Sequence, residues 1–400
     1  MTVSIVLLLA ALAGDWPQFL GPTRDGVYSG SDIAPAWPSA GPPVVWKKDV
    51  GAGFAGPVVA GGKLIVFHRL QSREIIECLD AATGKNVWSQ AYPTAYRDDF
   101  GFDEGPRSAP VIAGGVVYAF GAEGVLTAVD LATGKRLWQV AAHQKFRSPK
   151  GWFGSAGSPL VEGGKVLVNV GGEGAGIVAF DAATGNVAWK ATSDEASYSS
   201  PSAATIGGAR HVLFLTRSEL VDLDPANGQI RFTMPFKSRS SASVTAATPL
   251  VVGNLVFVSA SYGVGAALIE VNGSQYRKIW ANDDSMSNHY STCVYSNGIL
   301  YGFHGRQEEG QELHAIELKT GKIMWSVERF GAGTVTLAGN RLLIVRENGE
   351  LTIAPATPKE FRPSESAKIL SGVIRAYPAI ADGRLYVRNE HTLISVRLAP

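Results

Sequence analysis

One position of an internal repeat carries side chains that could hold a ligand. Short apolar strands begin near Pro57, Pro110, Pro159, Pro201, Pro249, Cys293, Val335 and Pro378. Three residues before those starts stand Phe54, Arg107, Tyr198, Tyr290 and Arg375, interleaved with Ala156, Ala246 and Ala332. Arginine offers carboxylates a planar fork, and tyrosine offers a ring with a hydroxyl, so the position suits an anionic or aromatic ligand. The next residue is always small, from Ala55 and Ser108 to Gly333 and Ala376, as crowding around a common axis would require. Trp152, His289 and Tyr377 fall in or beside the same connections and complete the candidate ligand-binding set. The competing reading is that these side chains pack, or pair with acids of the loops.

Other chemistry is weaker in the sequence. Asp98, Asp99, Asp103 and Glu104 have oxygens enough for calcium, but their spacing is not that of a calcium loop, and the expectation is a solvated acidic segment with no metal. His289 and His304 share one repeat, yet no H-x-x-x-H or H-E-x-x-H spacing exists for zinc. The run Gly171 to Gly176 lies between two strands and opens no helix, which makes it a hairpin and not a phosphate loop. No G-x-S-x-G elbow occurs. The sequence therefore names no catalytic residues.

The elements that must position the candidate residues come from the repeat. It is clearest as AVDLATGKRLW ending at Trp138, and it recurs ending at Trp88, Trp189 and Trp325, with degenerate forms ending at Phe232, Trp280 and Phe361. An apolar strand, an Asp able to bond nearby amides, a Gly free to take positive φ and a second strand describe a hairpin. A second strand pair precedes each unit, as in PVIAGG followed by VVYAFG at Pro110–Gly121, so each repeat supplies four strands. Eight inner strands then predict an all-β, eight-bladed β-propeller of four-stranded antiparallel blades. The last repeat stops one strand short, while residues 44–50 form an outer strand without inner partners. The N-terminal strand is expected to close the ring in the last blade and remove the open edge. Deleting residues 44–50 should thus cost far more stability than deleting residues 15–33.

The pattern A-x-D-x-x-T-G-x-x-x-W resembles the tryptophan-docking repeat of the pyrroloquinoline quinone (PQQ) type propellers over essentially the whole chain, and DWPQFLGPTRDG at residues 15–26 is similar to the opening of exported bacterial PQQ-like repeat proteins. The resemblance implies one of two functions. One is a binding or scaffolding propeller, like the lipoprotein of the outer-membrane barrel-assembly machinery. The other is a quinoprotein alcohol or sugar dehydrogenase that holds PQQ and calcium on the ring axis. Dehydrogenases of that type characteristically carry adjacent cysteines over the cofactor, whereas Cys78 and Cys293 fall in different repeats.

Composition agrees with a globular chain: 46% of residues are hydrophobic and 18% charged, and the net charge of +1 gives nucleic acid or anionic membranes nothing to attract. Residues 1–13 read as a signal peptide, residues 14–43 as an opening segment packing on the propeller, and residues 44–400 as the propeller. The expectation is a periplasmic or secreted monomer, without a membrane span, that binds a partner protein or a small molecule through its loop-rich face. It needs no cofactor in that reading, and a PQQ-dependent oxidoreductase is the alternative.

Overall fold

The computed structural model describes residues 14–399 apart from Ser31, Pro35, Ser39, Ser241 and Ala242, so the signal-peptide reading lies outside the described residues. Eight sheets follow one another along the chain, each with four antiparallel strands and one of them with a fifth strand added in parallel. Blade 1 contains Val58–Ala60, Lys63–Leu70, Arg73–Asp80 and Asn86–Pro93. Blade 8 contains Ala379–Ala381, Arg384–Arg388 and Thr392–Arg397, and its outer strand is Val44–Asp49 from the other end of the chain. Trp46 lies opposite Ser395 and Lys48 opposite Leu393, so the expected closure is present.

Middle strands are buried along most of their length instead of alternating, because both of their faces are covered by neighbouring blades, and the polar residues they bury are paired, as Asp222 is with His211 at 2.7 Å. Ile65, Phe67, Ile76 and Cys78 of blade 1 share a core with Val117, Ala119 and Val129 of blade 2. The core is thus a series of layers between blades, and each blade is held mainly by its two neighbours.

The repeat's chemistry is legible at the Asp80 turn. Its carboxylate accepts hydrogen bonds from the Thr83 amide (2.8 Å) and hydroxyl (2.6 Å), and the Gly84 amide closes the turn on the Asp80 carbonyl. Gly134, the same glycine one blade on, has φ +75°, and a Cβ there would stand 2.7 Å from the Trp88 ring. That glycine is required twice, by its backbone and by the indole that lies on it. The Trp88 indole N–H donates to the Leu131 carbonyl of the next blade at 3.0 Å. Trp138, Trp189, Trp280 and Trp325 repeat the bond, and Trp46 makes it to Ala81 across the closing junction. Blade 7 departs from the pattern. Its inner strand starts at Gly333 and its outer strand at Glu365, beyond Phe361, which packs on Trp325 at 5.6 Å between ring centres.

The opening segment runs inside the ring. Trp16 bridges Val59 of blade 1, the Pro17 carbonyl accepts from the Ile112 amide of blade 2, and Val27–Tyr28 lies parallel to the inner strand of blade 7. Trp16, Leu20 and Tyr28 are all at most 2% exposed. The Arg24 guanidinium is buried against the Pro159 and Ser158 carbonyls of blade 3 at 2.8 and 3.2 Å, and loss of water pushes its pKa down to about 9. These residues fill the axial channel, a deeper placement than a segment lying on the outside.

Candidate functional site: an axial cup on the loop-rich face

Inner strands begin on the face that carries the blade-to-blade connections and the hairpins between middle strands. At their mouth is a cavity of 440 Å³, within the size range of small-molecule sites. Seven of the eight ring positions named from sequence line it, Ala332 being the exception. Its floor is the plug: Phe19 meets Tyr377 edge to face at 4.8 Å, so the channel ends as a blind cup.

Arg107, Tyr198, His289, Tyr290, Arg375 and Tyr377 are therefore gathered in one place. Trp152 is not. The residue is 40% exposed, its ring leans on Phe100 at 5.8 Å on the outer rim, and its backbone N–H donates to the Tyr198 hydroxyl at 3.0 Å.

The two arginines have different surroundings. Arg107 is closed. Its Nη2 donates to Asp98 at 2.5 Å and to the Asp103 carbonyl at 3.1 Å, while Nη1 donates to the Phe153 carbonyl at 2.9 Å. Among the described residues Arg375 makes its hydrogen bond through Nε, which donates to Glu347 at 2.9 Å. Both guanidinium carbons stand over the Phe54 ring, at 5.6 and 5.5 Å. Glu347 also accepts from the Tyr290 hydroxyl (2.9 Å) and from the Gln307 side-chain amide (2.8 Å). Burial and the Glu347 charge raise the Tyr290 pKa far above the usual phenol value, so its proton stays in place as a donor.

His289 fixes a second polar group. Its Nδ1 accepts the Gln307 backbone N–H at 3.2 Å, which puts the ring proton on Nε2, facing the Tyr262 hydroxyl at 3.1 Å. The Tyr262 oxygen thus accepts a hydrogen bond from Nε2–H, which leaves its own O–H to donate elsewhere. Tyr262 holds a left-handed backbone at φ +65°, a conformation that costs a non-glycine residue about 1–2 kcal/mol. Such strain gathers at sites where a side chain must be aimed.

Burial lowers His289 to about 4, and does the same to His143 beneath the rim. In the unfolded chain each would titrate near 6.5, at about its ordinary value. The unfolded state therefore binds more protons between those values, and stability that is complete above about pH 6.5 is lost as the pH falls toward 4. Each histidine accounts for up to about 3 kcal/mol. Melting curves from pH 7 to 4 should show the decline, and His143→Gln should flatten it; an unchanged slope would mean that His143 is protonated in the fold.

Sequence reasoning missed Phe102, Phe153, Tyr262, Gln307, Glu308 and Glu347. The last four sit in hairpins between middle strands, at positions that the inner-strand alignment does not reach. Their only mark in the sequence is hairpin length, as in the segment between His304 and Glu312, which folds into a short turn at Gln307–Glu309.

Calcium binding would need six to eight oxygens. Glu347 is taken up by Tyr290, Arg375 and Gln307, and Asp98 by Arg107 and the Phe100 amide. Asp103 caps the Gly53 and Gly105 amides, Asp99 pairs with Lys150, and Glu104 with Arg69 and Arg97. Among the described residues no three His, Cys, Asp or Glu side chains form a metal-holding group. Cys78 and Cys293 are buried free thiols in blades 1 and 6, and burial raises them to about 11 and about 12. The acidic residues of the cup and its rim, each engaged by another partner, do not fit the calcium ion of a PQQ–calcium group.

Fold and site together define a closed eight-bladed propeller with an axial cup on its loop face. The chain belongs to the PQQ-like repeat family whose model is described as outer membrane protein assembly factor BamB, which matches residues 39–149 and 72–327. Its structure is similar to that of BamB from Moraxella catarrhalis, with TM-score 0.67 and 16% identity over 89% of this chain and 99% of that one. It is also similar to a quinohemoprotein alcohol dehydrogenase from Comamonas testosteroni, with TM-score 0.68 and 16% identity over 97% of this chain and 81% of that one. A computationally designed protein, Ika8, shares the fold at TM-score 0.63 and 12% identity over 89% of this chain and all of its own. At these identities the likeness concerns architecture. No curated protein sequence matches the chain.

Proposed function

We propose that this chain is an exported binding propeller, working outside the cytoplasm as a monomer, whose loop-rich face holds a small ligand or a partner protein. The observation that carries the reading is the preformed cup, whose charged walls are locked by Arg107–Asp98 and Arg375–Glu347 while its aromatic rings remain open to an occupant. Family membership supports it, because the matching family model is described as an outer membrane protein assembly factor. No helix among the described residues is long and apolar enough to cross a membrane. The test is thermal stability of the protein starting at Gly14, titrated with small aromatic compounds and, separately, with PQQ and calcium, alongside dye-linked oxidation of alcohols and sugars. Stabilisation by a cup ligand without dye reduction is expected. PQQ-dependent turnover would replace this reading with the dehydrogenase one.

A further inference from the structure

Building on the binding reading, we propose that the cup selects a flat aromatic ligand bearing a single carboxylate, which Arg375 receives on its terminal nitrogens. Among the described residues, Arg375 is the wall arginine whose terminal nitrogens are left over. Arg107 spends both terminal nitrogens on Asp98, Asp103 and Phe153. Arg375 spends only Nε, and among the described residues neither of its terminal nitrogens makes a hydrogen bond. The grip of Glu347 on Nε and the rings of Phe54 and Phe102 near its guanidinium, at 5.5 and 5.7 Å, hold the fork in place before any ligand arrives. A planar two-donor edge presented in this way matches a carboxylate in geometry as well as charge.

The remaining lining sets the rest of the ligand. Phe54, Phe153 and Tyr198 offer apolar rings, with Phe153 and Tyr198 edge to face at 5.6 Å, and a planar body buries the most surface between such walls. The Tyr262 hydroxyl, its oxygen already fed by His289, supplies one further donor for a carboxylate or ring oxygen. Among the described residues a second carboxylate meets no cation with terminal nitrogens to spare, because Arg107 is spent and Arg306, over the Tyr262 ring at 4.6 Å, is held by Glu308 and Glu309. That carboxylate would stand near Glu308 and Glu347, and a buried charge without a partner is heavily penalised. The cup thus prefers a monoanion to a polyanion.

Calorimetric titration of the full mature protein with 2-naphthoate, 2-naphthamide and naphthalene-1,4-dicarboxylate tests this. The monocarboxylate should bind about ten- to a hundredfold more tightly than the amide, the worth of hydrogen bonds to a charged group. Arg375→Met should remove that preference, bringing the monocarboxylate down to the affinity of the amide, and Arg375→Lys should restore part of it. Should Arg375→Met lower the melting point, Tyr262→Phe reports on the same site, with carboxylate binding falling severalfold. Equal affinity for acid and amide would overturn the carboxylate assignment and leave the cup as a binding site. Tighter binding of the dicarboxylate, or no binding of any of the three, would overturn the inference outright. A cup that takes none of them while a different neutral ligand stabilises the protein would keep the broader binding reading.

Discussion

Deletion of Val44–Asp49 is expected to abolish the closed monomer. The strand contributes five register pairs to Thr392–Arg397 and brings Trp46 onto Gly84 of blade 1, with its indole N–H on the Ala81 carbonyl at 3.0 Å. With each of the five pairs worth about 1 kcal/mol and a half-buried tryptophan about 2, the loss of about 7 kcal/mol lies within the 5–15 kcal/mol that a folded protein has in total. Removing it also bares the edge of a strand whose residues Leu393 to Val396 are buried, and an uncovered apolar edge recruits other chains. Size-exclusion chromatography should show oligomers or insoluble protein. A synthetic peptide of residues 42–51 should restore part of the monomer by occupying the empty place. A truncated chain that remained monomeric with an unchanged melting point would mean that the junction between blades 8 and 1 holds without its strand.

Trp16→Ala should be the most damaging single substitution in the opening segment, at about 3–5 kcal/mol. The ring is 2% exposed, packs with Val59 and Leu64 of blade 1 and Ile380 of blade 8, and lies so close to Gly21 that a Cβ there would stand 2.9 Å from it. Truncation leaves a void on the axis that rigid inner strands cannot close. Trp138→Ala, on a half-buried ring near the periphery, should cost about 1–2 kcal/mol, which makes it the internal comparison. Denaturant unfolding would measure both. Because Phe19 follows three residues later and floors the cup, Trp16→Ala should also weaken ligand binding under conditions where the protein remains folded. A loss below about 1 kcal/mol would show that the plug is an ornament on an independently stable ring. The plug's depth also narrows the expected gap between deleting residues 44–50 and deleting residues 15–33, which sequence reading alone makes wide.

The repeat made the architecture legible because its physics is local. Asp80, Thr83 and Gly84 form their turn within one hairpin, and Trp88 needs only a neighbour carrying the same glycine. Any chain that repeats the unit eight times must stack it, and an unpaired outer strand at one end with a missing one at the other leaves closure as the way to bury both. The mouth of the cup was legible for the same reason, since residues at one offset from eight equivalent strands must surround the axis.

Whatever depended on contacts between distant segments was not legible. The sequence determined that Arg107 and Arg375 face the axis, because strand register is a property of the repeat. It could not say which of them is free, because that rests on the partners: Asp98 approaches Arg107 from within its own connection, whereas Glu347 comes to Arg375 from a hairpin in the preceding blade and engages only Nε. Nor could it place residues 14–28, whose irregular backbone satisfies its amides and carbonyls on the inner strands of several blades at once. Local hydrogen bonding and periodic burial are written along the chain. The pairing of charges and the filling of the axis were decided by the tertiary structure, because each depends on which groups meet once the ring is closed.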